Sequence, residues 1–449
     1  MSSIQAGTLA ANAIVYSTDT TGNLVFKTGA SGNTALTLDT NQLATFSNGI
    51  SVTGNVSGNL TVTGNTTTGN LTITGRSTSN SAVVDNVIVS PYTGFKNRII
   101  NGAMLIDQRY AGVAVTVNSS TATYGLDRWR GFGQSSAGVF TIQQNAVAPS
   151  GFANSINIKV STANTTIPAA GFYTLQQAIE GYNISDLNWG TSTAKNITLS
   201  FQANSSVTGT HSGSVKNSDG TRSYPFAYSI ASANTWTPVS ITVPGDTTGT
   251  WFTNTSIGLT LTFNLGSGRV ATANAWAAGN YDGATSSANV ISTAGATFFV
   301  TGVQVEAGNT ATSFEYRSFG TEVSLCQRYY QKSFSLGIAP VDGISQSTTD
   351  GTSLHLFNSY DTGNGFFSPV YFQTKMRTSP TITFFRSGSN GVTNGVWGTF
   401  DAGTWTSVTS ISVTTCNDMS FLATGTRTSA FTTKTAYIGS GTWTASSEL

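Results

Sequence analysis

Charged residues are scarce in this sequence, and their scarcity excludes several classes of protein. Lys, Arg, Asp and Glu make up 9% of the 449 residues, against about a quarter in a typical globular domain. The formal net charge is +1, whereas a nucleic-acid groove needs clustered Lys and Arg to displace counterions. We therefore expect no nucleic-acid partner. Aromatic residues reach 11%, which a disordered chain would not carry, so packed cores are expected.

Cysteine and long apolar runs are equally rare. The two cysteines, Cys326 and Cys416, cannot form a disulfide framework or a four-ligand metal site, and we expect both thiols to be buried. No window holds the roughly 18 apolar residues of a membrane helix. The first residues lack the basic region and apolar run of a secretory signal. These absences predict folding in a cytoplasm and no membrane insertion.

Ser, Thr, Asn, Gln and Gly take the place of charge, and they lie between short alternating apolar runs. Such composition is typical of all-β proteins, in which Thr pairs across strands and Gly or Asn form the turns. Near the start, residues 13–16, 24–26 and 35–38 alternate as strands do. We therefore predict a strand-rich N-terminal segment over residues 1–48.

A short internal repeat follows within residues 49–92. The sequences ISVTGN, LTVTGN and LTITG begin at residues 50, 60 and 71. Each unit carries two apolar positions on one face, which a single short strand cannot bury without stacked neighbours. A single-chain β-solenoid and a shaft of three identical chains both satisfy that need. The shortness of the repeat and its uncapped ends favour the shaft, and hence a homotrimer.

The rest of the chain predicts a large β-sandwich over residues 93–320 and a β tip over residues 321–449. A sandwich of two antiparallel sheets, a jelly roll, closes so many short strands most simply. One helical turn is expected at residues 174–179, and a short linking helix at residues 322–330. The strongest predicted strands are residues 139–142, 156–160, 197–201, 257–263 and 298–305. The whole fold is thus predicted to be all-β and elongated.

A series of motifs in this region resembles a domain of bacteriophage tail fibre proteins. They appear in the expected order over residues 95–332, about half of the chain. The motifs are residues 96–104 (KNRIINGAM), 106–109 (IDQR), 126–129 (LDRW), 209–213 (GTHSG), 217–224 (NSDGTRSY), 239–246 (VSITVPGD), 302–308 (GVQVEAG), 312–317 (TSFEYR) and 325–330 (LCQRYY).

This resemblance implies a jelly-roll domain similar to carbohydrate-binding modules, carried on a trimeric shaft at a phage tail. It implies a virion protein that is assembled in the host cytoplasm. The N-terminal segment would dock on other tail or baseplate proteins, and the distal domains would bind a host cell-surface glycan. A spacer or collar protein that binds no receptor is the main alternative. A polysaccharide depolymerase is another, although the sequence shows no catalytic motif and the repeat is too short for a catalytic β-helix.

Candidate glycan-binding residues are aromatic side chains, whose faces stack on sugar rings, and an Asp, which can hydrogen-bond sugar hydroxyls. The segments 275–282 and 394–398 look like loops, and loops expose such side chains. Each aromatic could instead be a core residue. The candidates are Trp276, Tyr281, Asp282, Tyr360, Trp397 and Trp405.

Two further groups of side chains contain acidic residues. In residues 126–129, strand alternation places Asp127 and Trp129 on one face and Arg128 on the other, which favours a buried Trp beside a hydrogen-bonded Asp. No transition-metal site or other cofactor is expected. A structural Ca²⁺ held by Asp107, Asp127 and Glu306 is an alternative that the sequence leaves open.

Overall fold

A computed structural model describes the backbone of the chain in eleven stretches and its side chains in fewer. The backbone ranges are 17–18, 24–28, 33–38, 44–46, 95–134, 137–343, 353–359, 363–386, 397–401, 404–431 and 436–449. Side chains are described for residues 36, 95–134, 137–343, 363–386, 397–399, 406–431 and 441–449. The chain divides into two compact units, Met1–Asp85 and Asn86–Leu449.

The first unit contains a four-stranded antiparallel sheet in which each strand pairs with the next along the chain. The predicted strands at residues 24–26 and 35–38 fall within this sheet and are confirmed. The predicted strand at residues 13–16 and the repeat at residues 50–75 lie outside the described residues. The strands are β1 (Ser17–Thr18), β2 (Leu24–Thr28), β3 (Asn33–Leu38) and β4 (Ala44–Phe46).

The second unit begins with a sandwich of two antiparallel sheets, as the jelly-roll prediction requires. Two 3₁₀ helices, Gly181–Leu187 and Val290–Ser292, interrupt the strands. The strands are β5 (Val115–Val117), β6 (Thr123–Leu126), β7 (Trp129–Gly133), β8 (Val139–Asn145), β9 (Ser155–Thr162), β10 (Phe172–Glu180), β11 (Ile197–Ser205), β12 (Gly209–Lys216), β13 (Arg222–Ile230), β14 (Thr237–Val243), β15 (Ile257–Ser267), β16 (Val270–Ala271), β17 (Ala277–Ala278), β18 (Gly283–Ala284) and β19 (Thr297–Ala307).

Apolar side chains at alternate positions of the strands fill the space between the two sheets. The seven-stranded sheet runs β17-β13-β12-β15-β10-β7-β6, and the six-stranded sheet runs β14-β11-β19-β9-β8-β5. In β15, Leu259, Leu261 and Phe263 point into the core and are fully buried. Burying each such side chain contributes about 1.5–3 kcal/mol. Thr260 and Thr262, between them, therefore point to the outer face of the seven-stranded sheet.

The helical turn predicted at residues 174–179 is wrong, because this segment belongs to β10, an interior strand of the seven-stranded sheet. It pairs with β15 on one side and with β7 on the other. Gln177 points into the core, where an apolar residue is expected, so it interrupts the apolar–polar alternation typical of a strand. Its amide accepts a hydrogen bond from the N–H of Ile100 at 3.0 Å and donates one to the carbonyl oxygen of Ile100 at 2.9 Å. A buried amide satisfied in this way costs little, so the core tolerates it.

After the sandwich, the predicted linking helix is confirmed with shifted ends, since Tyr330 belongs to a strand. Cys326 on this helix is buried as expected, whereas Cys416 is half-buried. The helix α1 spans Phe319–Gln327. The strands beyond it are β20 (Tyr330–Lys332), β21 (Ser353–Ser359), β22 (Gly365–Tyr371), β23 (Thr381–Phe385), β24 (Gly398–Asp401), β25 (Thr404–Cys416), β26 (Ser420–Arg427) and β27 (Ala436–Ser446).

Strand β27 organises this last part of the chain. Residues of its first half pair with β21 and β24, so that β21, β22, β26, β25, β24 and β27 close into a ring. Its second half pairs with β20 and β23. Phe366, Phe421 and Trp443 are among the aromatic side chains that fill the enclosed core. Among the described residues, no helix combines the length and apolar character that crossing a bilayer demands.

Candidate functional site

Trp397 is a core residue with no exposed face. Its Nε1 donates a hydrogen bond to the carbonyl oxygen of Thr442 at 3.2 Å. Its ring lies so close to the backbone of Gly441 that a Cβ there would come within 2.1 Å. The expectation of a binding aromatic on an exposed loop is therefore wrong for Trp397. Tyr360 lies outside the described residues, and so does the side chain of Trp405.

Trp276 directly precedes β17, and Tyr281 lies on the loop between β17 and β18; both are half-buried. The ring centroid of Trp276 lies 5.6 Å from those of Trp189 and Trp251, with the rings edge to face. Its Nε1 donates to the carbonyl oxygen of Pro244 at 2.8 Å. Trp276 thus completes a small aromatic core that holds the loop in place, and its polar edge is already used.

Asp282, on the same loop, has no exposed surface. Its carboxylate accepts hydrogen bonds from Lys216 Nζ at 2.7 Å and from Arg269 Nε at 2.7 Å. Ser267 Oγ donates a third at 3.1 Å. The expectation that Asp282 contacts a ligand directly is therefore wrong, because protein donors surround its carboxylate. Instead it holds two cationic side chains together as a Lys216–Asp282–Arg269 bridge.

That bridge lies at one end of a concave groove on the outer face of the seven-stranded sheet. Ser214, Thr262, Gln176 and Arg130 are paired in register across β12, β15, β10 and β7, and they form a polar row on this face of the sheet. Gln176 and Arg130 line the groove, whereas Ser214 and Thr262 are fully buried and do not line it. The hydroxyl groups of Ser214 and Thr262 are buried and have no hydrogen-bond partner among the described residues. Buried polar atoms without partners are rare in proteins. Neither hydroxyl is open to a ligand in the groove, because both side chains are fully buried.

Two aromatic rings and the loop at residues 217–220 form the walls of the groove, which encloses about 240 Å³. The ring centroids of Phe132 and Phe172 are 6.5 Å apart, and both rings are half-buried. The guanidinium carbon of Arg269 lies 3.7 Å from the centroid of Phe172, a close cation–π contact. The groove therefore combines apolar ring surface with several hydrogen-bond donors.

Charge in the groove is predominantly positive. Arg130, Lys216 and Arg269 line it, and of the described lining residues Asp219 alone carries a carboxylate. Burial lowers the pKa of Lys216, Asp282 raises it, and Arg269 and Arg130 lower it further. The three cations are therefore close enough to influence one another.

Sequence reasoning missed the groove, because its residues come from strands far apart in the chain. A Phe-rich strand end or a lone Arg carries no local signal of a site. Alternation could have assigned Gln176 and Thr262 to an outer face, but only with the strand pairing known.

A second surface with exposed aromatic rings lies on the six-stranded sheet. Phe152, Phe314 and Tyr316 form an aromatic corner with centroids 5.0–5.7 Å apart, and Tyr316 is 62% exposed. Gly302 has φ +63°, and a Cβ on it would come within 2.6 Å of the Phe152 ring. A glycine is therefore required for this ring to rest on the sheet.

The segment 126–129 is a turn between β6 and β7, not a continuous strand. Arg128 has φ +71°, so Asp127 and Trp129 do not follow strand alternation. The predicted pairing of a buried Trp with a hydrogen-bonded Asp is nevertheless confirmed. Asp127 accepts from the N–H and the side-chain amide of Gln108 at 2.7 and 2.6 Å, and Trp129 Nε1 donates to the carbonyl oxygen of Asn101 at 3.0 Å.

Beside this turn, several of the tail-fibre-like motifs converge on a buried cluster of charges. Glu448 accepts a hydrogen bond from Arg109 at 2.8 Å and another from Arg128. The guanidinium carbon of Arg128 lies 3.6 Å from the ring of Tyr329, and that of Arg109 lies 3.8 Å from the ring of Tyr330. This arginine cluster joins the sandwich to the last strands of the chain, which gives the motifs a structural role.

The three carboxylates considered for calcium are held by protein donors. Asp107 accepts from the N–H groups of Arg109, Tyr110 and Gly112 in a tight turn. Glu306 accepts from both the N–H and the hydroxyl of Thr312. Within the described ranges, no group of three or more His, Cys, Asp or Glu side chains is placed to hold a metal ion.

No protein-family model matches this chain, and no curated protein does. Among solved structures it is similar to the enzymatically active domain of tailspike protein 4 from bacteriophage CBA120, at 13% identity and a TM-score of 0.25. That match covers 47% of this chain and 22% of the tailspike chain, so this chain spans less than a quarter of it.

Carbohydrate-binding proteins appear in the same comparison. The module TmCBM61, solved with β-1,4-galactotriose, is 10% identical with a TM-score of 0.25, covering 48% of this chain and 100% of the module. A candidate sugar-binding protein from Bacteroides thetaiotaomicron is 14% identical with a TM-score of 0.28, covering 47% and 100%. These values are too low to carry the function of any of these proteins over to this chain.

Proposed function

We propose that this chain is a subunit of a bacteriophage tail fibre that binds a host-surface glycan in the groove without cleaving it. The observation that carries the proposal is the groove lining, where Gln176, Thr260 and Asn280 lie beside three cationic side chains and two aromatic rings. A sugar presents hydroxyl groups at its edge and C–H groups on its face, and both surfaces are matched here. The run of motifs resembling tail fibre proteins supports the virion role.

Absence of catalysis is part of the proposal. Glycoside hydrolysis uses two carboxylates on either side of the bond, one of them with a raised pKa. In the described lining of the groove, Asp219 is exposed and accepts two hydrogen bonds from Thr221. The neighbouring Asp282 is enclosed by Lys216 and Arg269. This arrangement supports binding more than bond cleavage.

Phe172→Ala is expected to weaken glycan binding at least roughly tenfold, since the ring contributes stacking surface and supports Arg269. The probe is a host-surface polysaccharide that a column carrying the wild-type protein retains. Titration calorimetry with oligosaccharide fragments of this polysaccharide then measures the affinity. Tyr316→Ala in the aromatic corner is the matched control and should change affinity less than twofold.

Incubating the protein with the same polysaccharide distinguishes a glycan-binding fibre from a depolymerase and from a spacer. Shortening of the polysaccharide during incubation would show a depolymerase. A protein that retains no host polysaccharide would be a spacer, and the proposal would fail. If Tyr316→Ala abolished binding and Phe172→Ala did not, the receptor site would lie on the aromatic corner instead of the groove.

The shaft repeat at residues 50–75 leads us to propose a homotrimer that docks on other tail proteins through residues 1–48. Three linked chains would present three grooves, and engaging several sites together can raise overall affinity by about 10²–10⁴. Sedimentation equilibrium of the full chain should give three times the 46.7 kDa of one chain. A stable monomer at micromolar concentration would contradict the shaft.

A further inference from the structure

The groove carries more positive charge than a neutral sugar needs. The whole chain contains only 20 Lys and Arg residues, yet three of them line this one groove. Two belong to the Lys216–Asp282–Arg269 bridge, and Arg130 lies at the other end of the polar row. Charged side chains cost free energy to bury, so a groove that concentrates them has a specific use for them.

One carboxylate in the bridge cannot use all the donors around it. A guanidinium has five N–H groups and an ammonium three. Arg269 directs Nε and Nη2 to the same Asp282 oxygen, both at 2.7 Å, and its side chain remains 23% exposed. Lys216 Nζ donates to Asp282 and to Asn280 Oδ1 at 3.0 Å. Donors therefore remain for a second carboxylate in the groove.

Electrostatic interactions also favour a second carboxylate in the groove. The lower pKa of Lys216, which burial causes first and which Arg269 and Arg130 deepen, means that its positive charge is held at a cost. An anion placed among the three cations would offset that cost. Gln176 and Thr260, which line the groove, would hydrogen-bond the hydroxyls of the same ligand.

We infer that the groove selects a carboxylate-bearing sugar, a uronic acid residue, with the acid group at Arg269 and the ring against Phe172. The inference rests on the proposed function, since it names the class of glycan that the groove binds. Arg269 provides the charge-assisted hydrogen bonds, and Gln176 and Thr260 contact the hydroxyls. Neutral glycans of the same shape bind more weakly, because they gain no charge-assisted hydrogen bond from Arg269.

The experiment uses the full chain and a panel of oligouronates made of galacturonate, glucuronate, mannuronate or guluronate. Each is compared with its own carboxyl-reduced form, which keeps the linkage and ring but replaces the carboxylate with a hydroxymethyl group. At least one acidic oligosaccharide should bind roughly tenfold tighter than its reduced form. Its dissociation constant should rise with salt, and that of the reduced form should not.

Arg269→Gln should remove this preference, weakening binding of the acidic form roughly tenfold and leaving the reduced form within twofold. Arg386→Gln, at an exposed arginine after β23, is the matched control with the same change of charge and should alter neither. Equal affinity for acidic and reduced forms would overturn the inference while leaving the proposed function intact. Failure of the whole panel and of host polysaccharide to bind would overturn both. The salt dependence of the wild-type protein decides the matter if the variant does not fold.

Discussion

Glu448→Gln is expected to lower the free energy of unfolding of the second unit by about 3–5 kcal/mol, because it leaves two buried guanidinium groups without their carboxylate. Arg109 and Arg128 both bind Glu448, and their side chains are only 13% and 2% exposed. Neither can turn to water without leaving the aromatic rings on which it stacks. Urea denaturation followed by tryptophan fluorescence measures the loss.

An exposed ion pair of the same unit provides the control. Lys375 Nζ lies 3.1 Å from Asp418, and the two side chains are 62% and 35% exposed. Lys375→Gln should change stability by less than about 1 kcal/mol, because water and salt screen such pairs. Equal losses in the two variants would show that the arginine cluster is no better shielded than the protein surface. If the variant lost amide protection in hydrogen exchange only in α1 and β20–β27, the cluster would be the junction between the sandwich and these last elements.

The strands of the sandwich show what a sequence can and cannot predict about this fold. Alternation found the strongly patterned strands such as β9 and β15, since each has an uninterrupted set of inward apolar residues. It failed at β10, where Gln177 occupies an inward position and is satisfied by the backbone of Ile100. The pattern of apolar and polar residues along one strand cannot indicate such a partner, because the partner is distant in sequence.

The candidate site was harder still to predict. Aromatic side chains near Gly and Asn suggested loops, but Trp397 packs on Gly441 in the closed sheet and is fully buried. Asp282 was placed on the correct loop, yet its carboxylate points inward to Lys216 and Arg269. Exposure depends on long-range pairing, which sets which face of a strand is covered. The groove residues met only when four strands were brought into register.

Asp127→Asn is expected to remove part of the pH dependence of stability between about pH 4 and pH 6. Burial raises the pKa of Asp127 from 3.8 to about 6, although Arg109 and the hydrogen bonds from Gln108 act to lower it. At pH below 3.8 the carboxyl is protonated in both the folded and the unfolded chain, so its contribution to stability is fully present. As the pH rises towards 6 the unfolded chain ionises first, and the contribution is lost at up to about 1.4 kcal/mol per pH unit.

Asparagine resembles the protonated acid, since each has one donor and one acceptor atom where the carboxylate has two acceptors. The stability of the variant relative to wild type should therefore rise between pH 4 and pH 6 and level off above pH 7. Subtracting the two curves at each pH cancels most of the titration of the other acids, while Glu448, which faces Asp127, and Arg109 remain in both proteins. Thermal unfolding in buffers of constant ionic strength measures the difference. A difference that stays flat, or that falls as the pH rises, would mean that the hydrogen bonds from Gln108 outweigh burial and that Asp127 is ionised at the centre of the fold.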